Sequence, residues 1–454
     1  MKIQANQEIV VVGAGPAGCV LACMMARRGF AVTVLEKRTD MREHELPGGR
    51  SINLALARRG ILALQEIDVM SQVQQLALPM RGRLLHDTQG QTMLLPYGKD
   101  DTEVIYSVHR GELNKILLDA AAKAGATLRF DSDVQRVDLL GQRLVLANRE
   151  ALDCADRIII GADGAGSVVR DALITIGSGH TRTDPLDHAY LELNIPRGVD
   201  GGFALDPGAL HIWPRGDFML IALPNPDRSF TATLFLPRDG KPDSFSSLHE
   251  PREFCHWFER HFVDAVPYIP DLEEQYHTHP IGHLATVHCA PWHNEQALLV
   301  GDAAHAIVPF HGQGMNCALE DCTAFERLLN TGCQDWNEMF QSFEDERKPN
   351  SEAIARMALE NYVEMRARVA EPRFRLRREI EQALENRHPA RFVPRYSMVM
   401  FHTLPYTEAY RRGVIQTGIL RQLSDKISDI DALDWALADR LIDRSLPEPI
   451  REPR

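Results

Sequence analysis

The feature that most constrains the fold is a glycine-rich turn, GAGPAG at residues 13–18, placed between two apolar segments. The β-branched residues 9–12 before it predict a strand, and residues 19–28 after it predict a helix that ends at Gly29. A second strand is predicted over Ala31–Leu35. A strand, a glycine turn, a helix and a strand form a βαβ unit whose helix N-terminus binds the phosphates of a dinucleotide. The sequence therefore predicts a Rossmann-type fold here.

Each glycine of this turn has a predicted role. Gly13 permits the tight turn, Gly15 lets the backbone approach a pyrophosphate, and Gly18 lets helix and strand pack closely. Glu36 ends the second strand, where its carboxylate can accept hydrogen bonds from ribose hydroxyls and would repel a 2′-phosphate. The dinucleotide is therefore FAD or NAD rather than NADP, the alternative being a glycine turn that binds nothing. The neighbouring residues assigned to the same site are Ala17, Lys37 and Arg38.

Composition agrees with a soluble cytoplasmic enzyme. The 454 residues suggest two or three domains, and a formal charge of −13 argues against nucleic acid or an anionic membrane as a partner. No apolar run reaches the roughly 18 residues that a membrane span requires. Eight cysteines occur without a CxxC pair, and Cys19 and Cys23 are expected to pack on the first helix. We therefore expect a reducing compartment and no metal site.

Two acidic turns follow apolar segments later in the chain. Asp163 lies in GADGAG after a predicted strand over residues 156–160, and Asp302 lies in GDAAH after one over 298–300. Ligands bind at the carboxyl ends of strands in open α/β sheets, where an aspartate can hydrogen-bond a ribityl chain. These turns favour FAD over NAD. The alternative is that Asp163 and Asp302 only cap helices.

A third segment, PFHGQGMN at residues 309–316, precedes a predicted helix over 317–329. The helix N-terminus, with Gly314, Met315 and Asn316, can stabilise negative charge on a reduced flavin. Pro309, Phe310 and His311 are expected to line a dry pocket where dioxygen reacts. The chain has no HExxH or GxSxG motif, so we expect the flavin, rather than a protein catalytic residue or a metal, to carry the chemistry.

These three segments, in this order, resemble the single-component FAD aromatic hydroxylases related to para-hydroxybenzoate hydroxylase. No second GxGxxG motif occurs, so NADPH is expected to bind transiently on the FAD scaffold. The resemblance implies that FAD itself is bound tightly and non-covalently. The resemblance sharpens to the kynurenine 3-monooxygenase family over most of the chain. The motifs that carry it include GRSINLALARRG at 49–60, MRGRLLHD at 80–87, HIWPR at 211–215 and ENYVEMR at 360–366.

This resemblance implies hydroxylation of L-kynurenine to 3-hydroxy-L-kynurenine, with NADPH and O2 as co-substrates and a flavin hydroperoxide as the oxidant. It also places Ala55 and Arg110 at the FAD site. Two departures are visible in the sequence: His311 stands where the family often has Phe, and the C-terminus lacks the hydrophobic anchor of mitochondrial members. The second departure favours a soluble, bacterial type of enzyme.

A carboxylate clamp is predicted on a β-hairpin that turns at residues 87–90. If residues 88–90 form a three-residue loop, Arg83 lies opposite Leu95 and has Tyr97 as its diagonal neighbour. A guanidinium and a phenol together bind a carboxylate well. A register shift of one residue would separate them, and a solvated arginine is the alternative.

Asn361 is the second substrate candidate. It lies in a helical stripe of apolar residues that includes Met357, Ala358 and Met365. A buried amide costs free energy unless it is paired, so its partner is either the backbone or a substrate group. The family resemblance places substrate-binding residues at Asn361 and Tyr396.

The predicted fold class is α/β, with an FAD-binding Rossmann-type domain, an antiparallel β-sheet substrate domain and a helical C-terminal region. Their expected residues are 1–75, 101–177 and 290–325 for the first, 76–100 and 178–289 for the second, and 326–454 for the third. L-kynurenine is expected between sheet and flavin.

Other functions stay open. One is hydroxylation of a different aromatic acid or phenol, and another is a flavin-bearing interaction protein without turnover. The arginines between 366 and 395 are expected on a solvated surface, with NADPH docking as the alternative. A homodimer is one candidate assembly.

Overall fold

The structure is a computed structural model that describes residues 1–4, 6–43, 53–177, 179–240, 242–367 and 372–452. Residues 49–52 of the predicted GRSINLALARRG motif lie outside this range. The chain divides into two compact units: residues 1–77, 108–186 and 284–355 form the first, and residues 78–107, 187–283 and 356–454 form the second. The sequence predicted a separate helical region over 326–454, whereas the compact units divide this stretch after residue 355.

The described part of the chain contains eighteen strands. In chain order they are β1 (Glu8–Val12), β2 (Ala31–Leu35), β3 (Asn53–Leu56), β4 (Leu78–Met80), β5 (Gly82–His86), β6 (Thr92–Pro96), β7 (Ile105–His109), β8 (Thr127–Arg129), β9 (Val134–Asp138), β10 (Arg143–Leu146), β11 (Ala151–Asp153), β12 (Ile158–Gly161), β13 (His180–Ile195), β14 (Ala209–Pro214), β15 (Met219–Pro224), β16 (Phe230–Pro237), β17 (Gly282–Ala290) and β18 (Ala297–Leu299).

Fourteen α-helices are described. They are α1 (Pro16–Arg27), α2 (Arg58–Glu66), α3 (Met70–Leu76), α4 (Arg110–Lys123), α5 (Val168–Gly177), α6 (Pro251–His261), α7 (Leu272–Thr278), α8 (Asp302–His305), α9 (Gly314–Asn330), α10 (Trp336–Ala367), α11 (Pro372–Arg387), α12 (Arg395–Met400), α13 (Tyr406–Ser424) and α14 (Trp435–Ser445). None of them, in the described residues, is long and apolar enough to cross a membrane.

The first unit is built on a parallel sheet in the order β18-β12-β1-β2-β8. Strand β1 lies at its centre. Its side chains from Ile9 to Val12 are all buried, as a strand covered on both faces requires. Its register places Val12 beside Leu35 of β2 and Gly161 of β12. The carboxyl ends of three strands therefore meet at one edge, as the predicted Rossmann topology requires.

The predicted first βαβ unit is confirmed, with one change at its helix. Helix α1 begins at Pro16 rather than Cys19, inside the glycine turn, because proline is favoured in the first turn of a helix. It ends where predicted, since Gly29 follows the last residues with a φ of +87°.

The second unit contains a sheet in which six strands follow the order β13-β16-β15-β14-β5-β6. All neighbours pair antiparallel except β14 and β5, which are parallel. Large apolar side chains of β14, β16 and α6, including Trp213, Phe230, Phe254 and Trp257, form a core cluster on this sheet. A further cluster, with Ile380, Leu384, Ile419 and Ile442, holds α11, α13 and α14 together.

The hairpin of β5 and β6 has the predicted register. Arg83 pairs with Leu95, and a hydrogen bond from Tyr97 N to Arg81 O extends the pairing past the end of β6. The turn closes through bonds between Asp87 and Gln91. The three-residue loop therefore brings Arg83 and Tyr97 to neighbouring positions.

Candidate active site

The glycine-rich turn lies at the carboxyl end of β1. Gly13 has a φ of +102°, and a Cβ atom there would lie 2.4 Å from Ala162 O. A Cβ atom on Gly18 would lie 2.1 Å from Gly13 O, so both glycines are required by close backbone packing. A Cβ atom on Gly15, in contrast, meets no heavy atom of the described residues within 4 Å. Gly15 thus borders open space at the start of α1, which fits a phosphate.

The carboxylate of Glu36 is buried and already hydrogen-bonded within the protein. Its Oε2 accepts from Ala14 N at 2.9 Å, and its Oε1 accepts from Arg38 N at 3.0 Å and Arg38 Nε at 2.7 Å. Burial alone would raise the pKa of Glu36, but the bonds from Arg38 and Ala14 outweigh it and lower that pKa. Three of about four lone pairs are used, so one position remains for a ribose hydroxyl. Lys37 is exposed beside it.

Asp163 caps helix α5, which is one of the two roles predicted for it, and leaves one of its carboxylate oxygens without a partner in the described part of the chain. Its Oδ2 accepts from Val168 N at 2.8 Å and Val169 N at 3.4 Å, at the start of α5. Its Oδ1 is buried and has no hydrogen-bond partner among the described residues. Burial raises the pKa of this carboxyl group. An unsatisfied buried acceptor fits a hydroxyl donor such as a ribityl chain, so the two interpretations do not compete.

The two acidic turns are joined by a buried arginine that the sequence prediction missed. Arg170 lies on α5 and donates through Nη2 to Ala165 O at 2.7 Å and through Nη1 to Ala303 O at 3.1 Å. It therefore fixes the turn of Asp163 relative to that of Asp302. The only sequence signal was an arginine within the apolar pattern of a helix, which is also typical of a solvated residue.

Asp302 is the first residue of α8 and is exposed at the carboxyl end of β18. Arg110 is exposed at the start of α4. Also on α4, Asn114 is buried and donates to Ala14 O at 3.0 Å, so it supports the glycine-rich turn. Asn114 was not predicted, because a single asparagine gives no local signal of such a long-range contact.

The loop before α9 carries the three residues that are predicted to line the dioxygen pocket. Residues Pro309–His311 form a 3-10 helix in which Phe310 and His311 are buried but Pro309 is exposed. Gly312 follows with a φ of +64°, and Gly314 begins α9. The first turn of this 17-residue helix, including the half-buried Met315, presents backbone N–H groups that suit an anionic group.

Asn316 is predicted to bind the cofactor, but its side chain is used inside the protein. Its Oδ1 accepts from Ala57 N at 2.9 Å, and its Nδ2 donates to Ala55 O at 2.7 Å and Gly312 O at 2.9 Å. The side chain thus ties β3 to the loop before α9. The backbone of Asn316 and of Ala55 is what remains for a cofactor contact.

Among the described residues, one group could offer three metal ligands, namely His305, Cys317 and Asp321. Asp321 is already bonded by Gly301 N, by His305 and by Arg347, whose Nη2 also lies 3.5 Å from Cys317 Sγ. A guanidinium at this position opposes a cation. Burial raises the pKa of Cys317, which disfavours the thiolate that a metal needs.

The predicted carboxylate clamp comes together within the second unit. Arg83 is 8% exposed, and its Cζ lies 4.6 Å from the ring centroid of Tyr396 and 5.9 Å from that of Tyr97. The two tyrosine rings stack with centroids 5.5 Å apart. Burial raises the pKa of both phenols, so their hydroxyls stay protonated and can donate to an anion. Arg83 Nε is buried without a hydrogen-bond partner among the described residues.

Two residues of α10 complete this cluster. Asn361 is buried in the apolar stripe as predicted, and Arg83 Nη2 donates to its Oδ1 at 3.4 Å. Glu364, one turn further along the helix, has its Oε1 3.8 Å from Arg83 Nη1. Glu364 was not predicted, although its i+3 spacing from Asn361 places both residues on one face. The cluster thus combines a buried cation, two phenols and a half-exposed carboxylate.

A buried histidine pair anchors the strand that carries Arg83. His86 Nε2 lies 2.9 Å from His211 Nδ1, His211 Nε2 lies 2.9 Å from Asp206 O, and His86 Nδ1 lies 3.0 Å from Asp264 Oδ2. Because the Asp206 carbonyl can only accept, His211 Nε2 must donate. In the neutral imidazole His211 Nδ1 is then the acceptor, so His86 Nε2 donates to it. Burial lowers the pKa of His211 to about 4.

A family profile described as FAD binding domain matches residues 6–358. Kynurenine 3-monooxygenase of Stenotrophomonas maltophilia is 46% identical over 451 residues, which are 98% of this chain and 99% of that protein. Kynurenine 3-monooxygenase of Myxococcus xanthus is 45% identical over 457 residues, 100% of this chain and 98% of that protein.

Solved structures support the fold. The tetrameric form of 2-methyl-3-hydroxypyridine-5-carboxylic acid oxygenase has a TM-score of 0.67 at 19% identity and covers 84% of this chain and 96% of its own. Pseudomonas aeruginosa PqsL, in complex with 2-aminobenzoylacetate, has a TM-score of 0.64 at 18% identity, with coverages of 80% and 97%. The resemblance found in the sequence is confirmed, and the chain belongs to the kynurenine 3-monooxygenase family of FAD-dependent monooxygenases.

Proposed function

We propose that this protein hydroxylates L-kynurenine to 3-hydroxy-L-kynurenine, with FAD as its cofactor and NADPH and O2 as co-substrates. One oxygen atom of O2 enters the ring, the other leaves as water, and NADPH supplies the electron pair. Family membership supports the reaction class, because relatives that cover nearly the whole chain carry this activity in their names.

The observation that carries the substrate assignment is the buried Arg83 cluster. Burying a guanidinium is costly unless an anion compensates it, and Glu364 at 3.8 Å is too distant for a full hydrogen bond. Arg83 Nε is a donor that a substrate carboxylate can accept from, and the protonated hydroxyls of Tyr97 and Tyr396 lie beside the same guanidinium. Asn361 adds an amide to the same cluster. An amino acid with a carboxylate end fits this set of donors.

The first unit offers what FAD binding requires. The open space at Gly15 and the N-terminus of α1 suit a pyrophosphate, and Asp163 Oδ1 is an acceptor for a sugar-like hydroxyl. Asp302 is exposed at the end of β18 to make a similar contact. The backbone N–H groups at the start of α9 suit a group that becomes anionic on reduction. When bound, FAD supplies the activation of dioxygen, and the protein supplies binding and orientation.

The chemistry of L-kynurenine fits hydroxylation at the carbon beside its aromatic amine. The amine donates electron density to that carbon, which makes it the nucleophilic position of the ring. The protein therefore needs to orient the ring and exclude water rather than provide a nucleophile. The buried Phe310 and His311 are the residues predicted for water exclusion.

Cytoplasmic localisation and transient NADPH binding belong to the same proposal. All eight cysteines are free, which is typical of a reducing compartment. The sequence has no second GxGxxG motif for a dedicated NADPH domain. A homodimer remains the candidate assembly, to be measured by sedimentation.

The test is substrate-dependent NADPH oxidation by the purified FAD-loaded protein, with products identified by mass spectrometry. We expect L-kynurenine to stimulate NADPH oxidation and to yield a hydroxylated product in proportion to NADPH used. Anthranilate, para-hydroxybenzoate and phenol are tested as alternative substrates in parallel reactions. Preferential turnover of one of these would favour another aromatic hydroxylase, and bound FAD without any turnover would favour an interaction protein.

A further inference from the structure

A chain of buried charged residues lies in the first unit, behind the turn that carries Asp302. Asp321 of α9 is 0% exposed, and its Oδ2 accepts from Gly301 N at 2.9 Å and from His305 Nε2 at 2.6 Å. Its Oδ1 accepts from Arg347 Nε of α10 at 2.7 Å. Both oxygens of this carboxylate are therefore committed to hydrogen bonds with donors.

This series of charged residues continues to α2, and its positive and negative charges balance. Arg347 Nη1 lies 2.8 Å from Glu320 Oε2, and Arg59 Nε lies 2.8 Å from Glu320 Oε1. Two buried guanidiniums thus face two carboxylates. Burial would raise the pKa of Asp321, but His305 and Arg347 outweigh it and lower that pKa to about 2. Asp321 is ionised at neutral pH, and its charge is compensated locally.

The turn that Asp321 contacts has an unusual backbone. Gly301 has φ 59° and ψ −141°, a conformation that side-chain-bearing residues rarely adopt, and a Cβ atom there would lie 3.0 Å from Ala318 Cβ. Glycine adopts this conformation without steric cost because it has no Cβ atom, so hydrogen bonds from its surroundings decide which backbone conformation it keeps. The hydrogen bond from Gly301 N to Asp321 is such a constraint, and it acts on the residue directly before Asp302.

We propose that Asp321, with Arg347 as its buried counterion, is a positioning residue for FAD. It holds Gly301 in the conformation that presents Asp302 to the cofactor. The proposal rests on the assignment of Asp302 to the FAD site and is independent of kynurenine. Asp321 acts through Gly301 and Asp302, so its effect on the cofactor must disappear when Asp302 is already removed.

The experiment is a double-mutant cycle on FAD affinity, measured by titrating apoprotein with FAD and following quenching of flavin fluorescence. The variants are Asp321→Leu, Asp302→Ala and the double variant. Removing one hydrogen bond to a charged group weakens binding by roughly ten- to a hundredfold, and we expect this for each single variant. The double variant should bind no more weakly than the weaker single variant, because both changes remove the same contact.

Controls separate positioning from general stability. Arg327→Met removes an exposed ion pair with Glu346 between the same two helices, α9 and α10, and should leave FAD affinity unchanged. Asp321→Asn keeps an oxygen for Gly301 N and should retain an affinity between those of wild type and Asp321→Leu. Denaturant unfolding of each apoprotein gives the stability change to be compared with the change in affinity.

Three results would overturn the proposal. They are wild-type FAD affinity in Asp321→Leu, no effect of Asp302→Ala, and losses that add in the double variant. If Asp321→Leu does not fold, the cycle is measured with Asp321→Asn, whose loss must likewise vanish in the Asp302→Ala background. Because no arm uses kynurenine, a negative result here leaves the proposed reaction standing.

Discussion

Arg83→Met should remove most of the affinity for L-kynurenine while leaving the fold intact. Methionine has a similar length and suits the buried position beside the rings of Tyr97 and Tyr396. Truncating one partner of a buried, hydrogen-bonded charge pair costs about 2–4 kcal/mol, the lower part of the usual range because the neighbouring Glu364 side chain is partly exposed. This cost corresponds to roughly 30- to 1000-fold weaker binding.

The assay is equilibrium binding of L-kynurenine together with stopped-flow reduction of the flavin by NADPH. We expect wild-type FAD content and loss of both kynurenine affinity and kynurenine-stimulated reduction. Arg81→Met is the matched control, since Arg81 precedes the same strand but is exposed. Decarboxylated kynurenine should bind wild type and Arg83→Met equally. If Arg83→Met binds L-kynurenine normally, or discriminates against the decarboxylated compound as wild type does, the clamp is refuted.

Three further predictions concern cofactor retention, pH and stability. Glu36→Ala should weaken FAD binding by about 1.5–3 kcal/mol, because it removes the acceptor of Ala14 N and of a ribose hydroxyl, and unchanged affinity in an apoprotein titration would contradict the assignment. Burial lowers the pKa of His211 from 6.5 to about 4, so the folded protein disfavours its protonated form. About 3 kcal/mol of the free energy of unfolding is therefore fully present above pH ~6.5 and lost as the pH falls toward 4. The thermal midpoint of His211→Gln should therefore fall less than that of wild type between these pH values, whereas the exposed control His277→Gln should follow wild type. Asn316→Ala should destabilise the protein by about 2–4 kcal/mol in urea unfolding, because one buried and two partly buried backbone groups lose their partner, and a loss below 1 kcal/mol would contradict that role.

Features set by local pattern were predictable from the sequence. The βαβ unit follows from a strand-turn-helix pattern, and the hairpin register follows from the length of its turn, which placed Arg83 opposite Leu95. The burial of Asn361 follows from helical periodicity alone. In each case the contacts lie within a few turns or one hairpin.

Features that depend on tertiary packing were not predictable. The side chain of Asn316 turns inward because β3, 261 residues away from it, supplies the partner at Ala55. Asp321 and Arg347 pair across two helices, and neither residue has a local pattern that separates it from a solvated helix face. Asp163 both caps α5 and keeps a free oxygen, whereas the sequence offered these as alternatives.

The most direct test of the central claim is turnover of L-kynurenine by the FAD-loaded protein under ¹⁸O₂, with NADPH as the reductant. We predict 3-hydroxy-L-kynurenine that carries a single ¹⁸O atom on the ring carbon beside the amine, formed in proportion to the NADPH oxidised. A product without label from dioxygen, or NADPH oxidation that yields only hydrogen peroxide with L-kynurenine present, would contradict the proposed function.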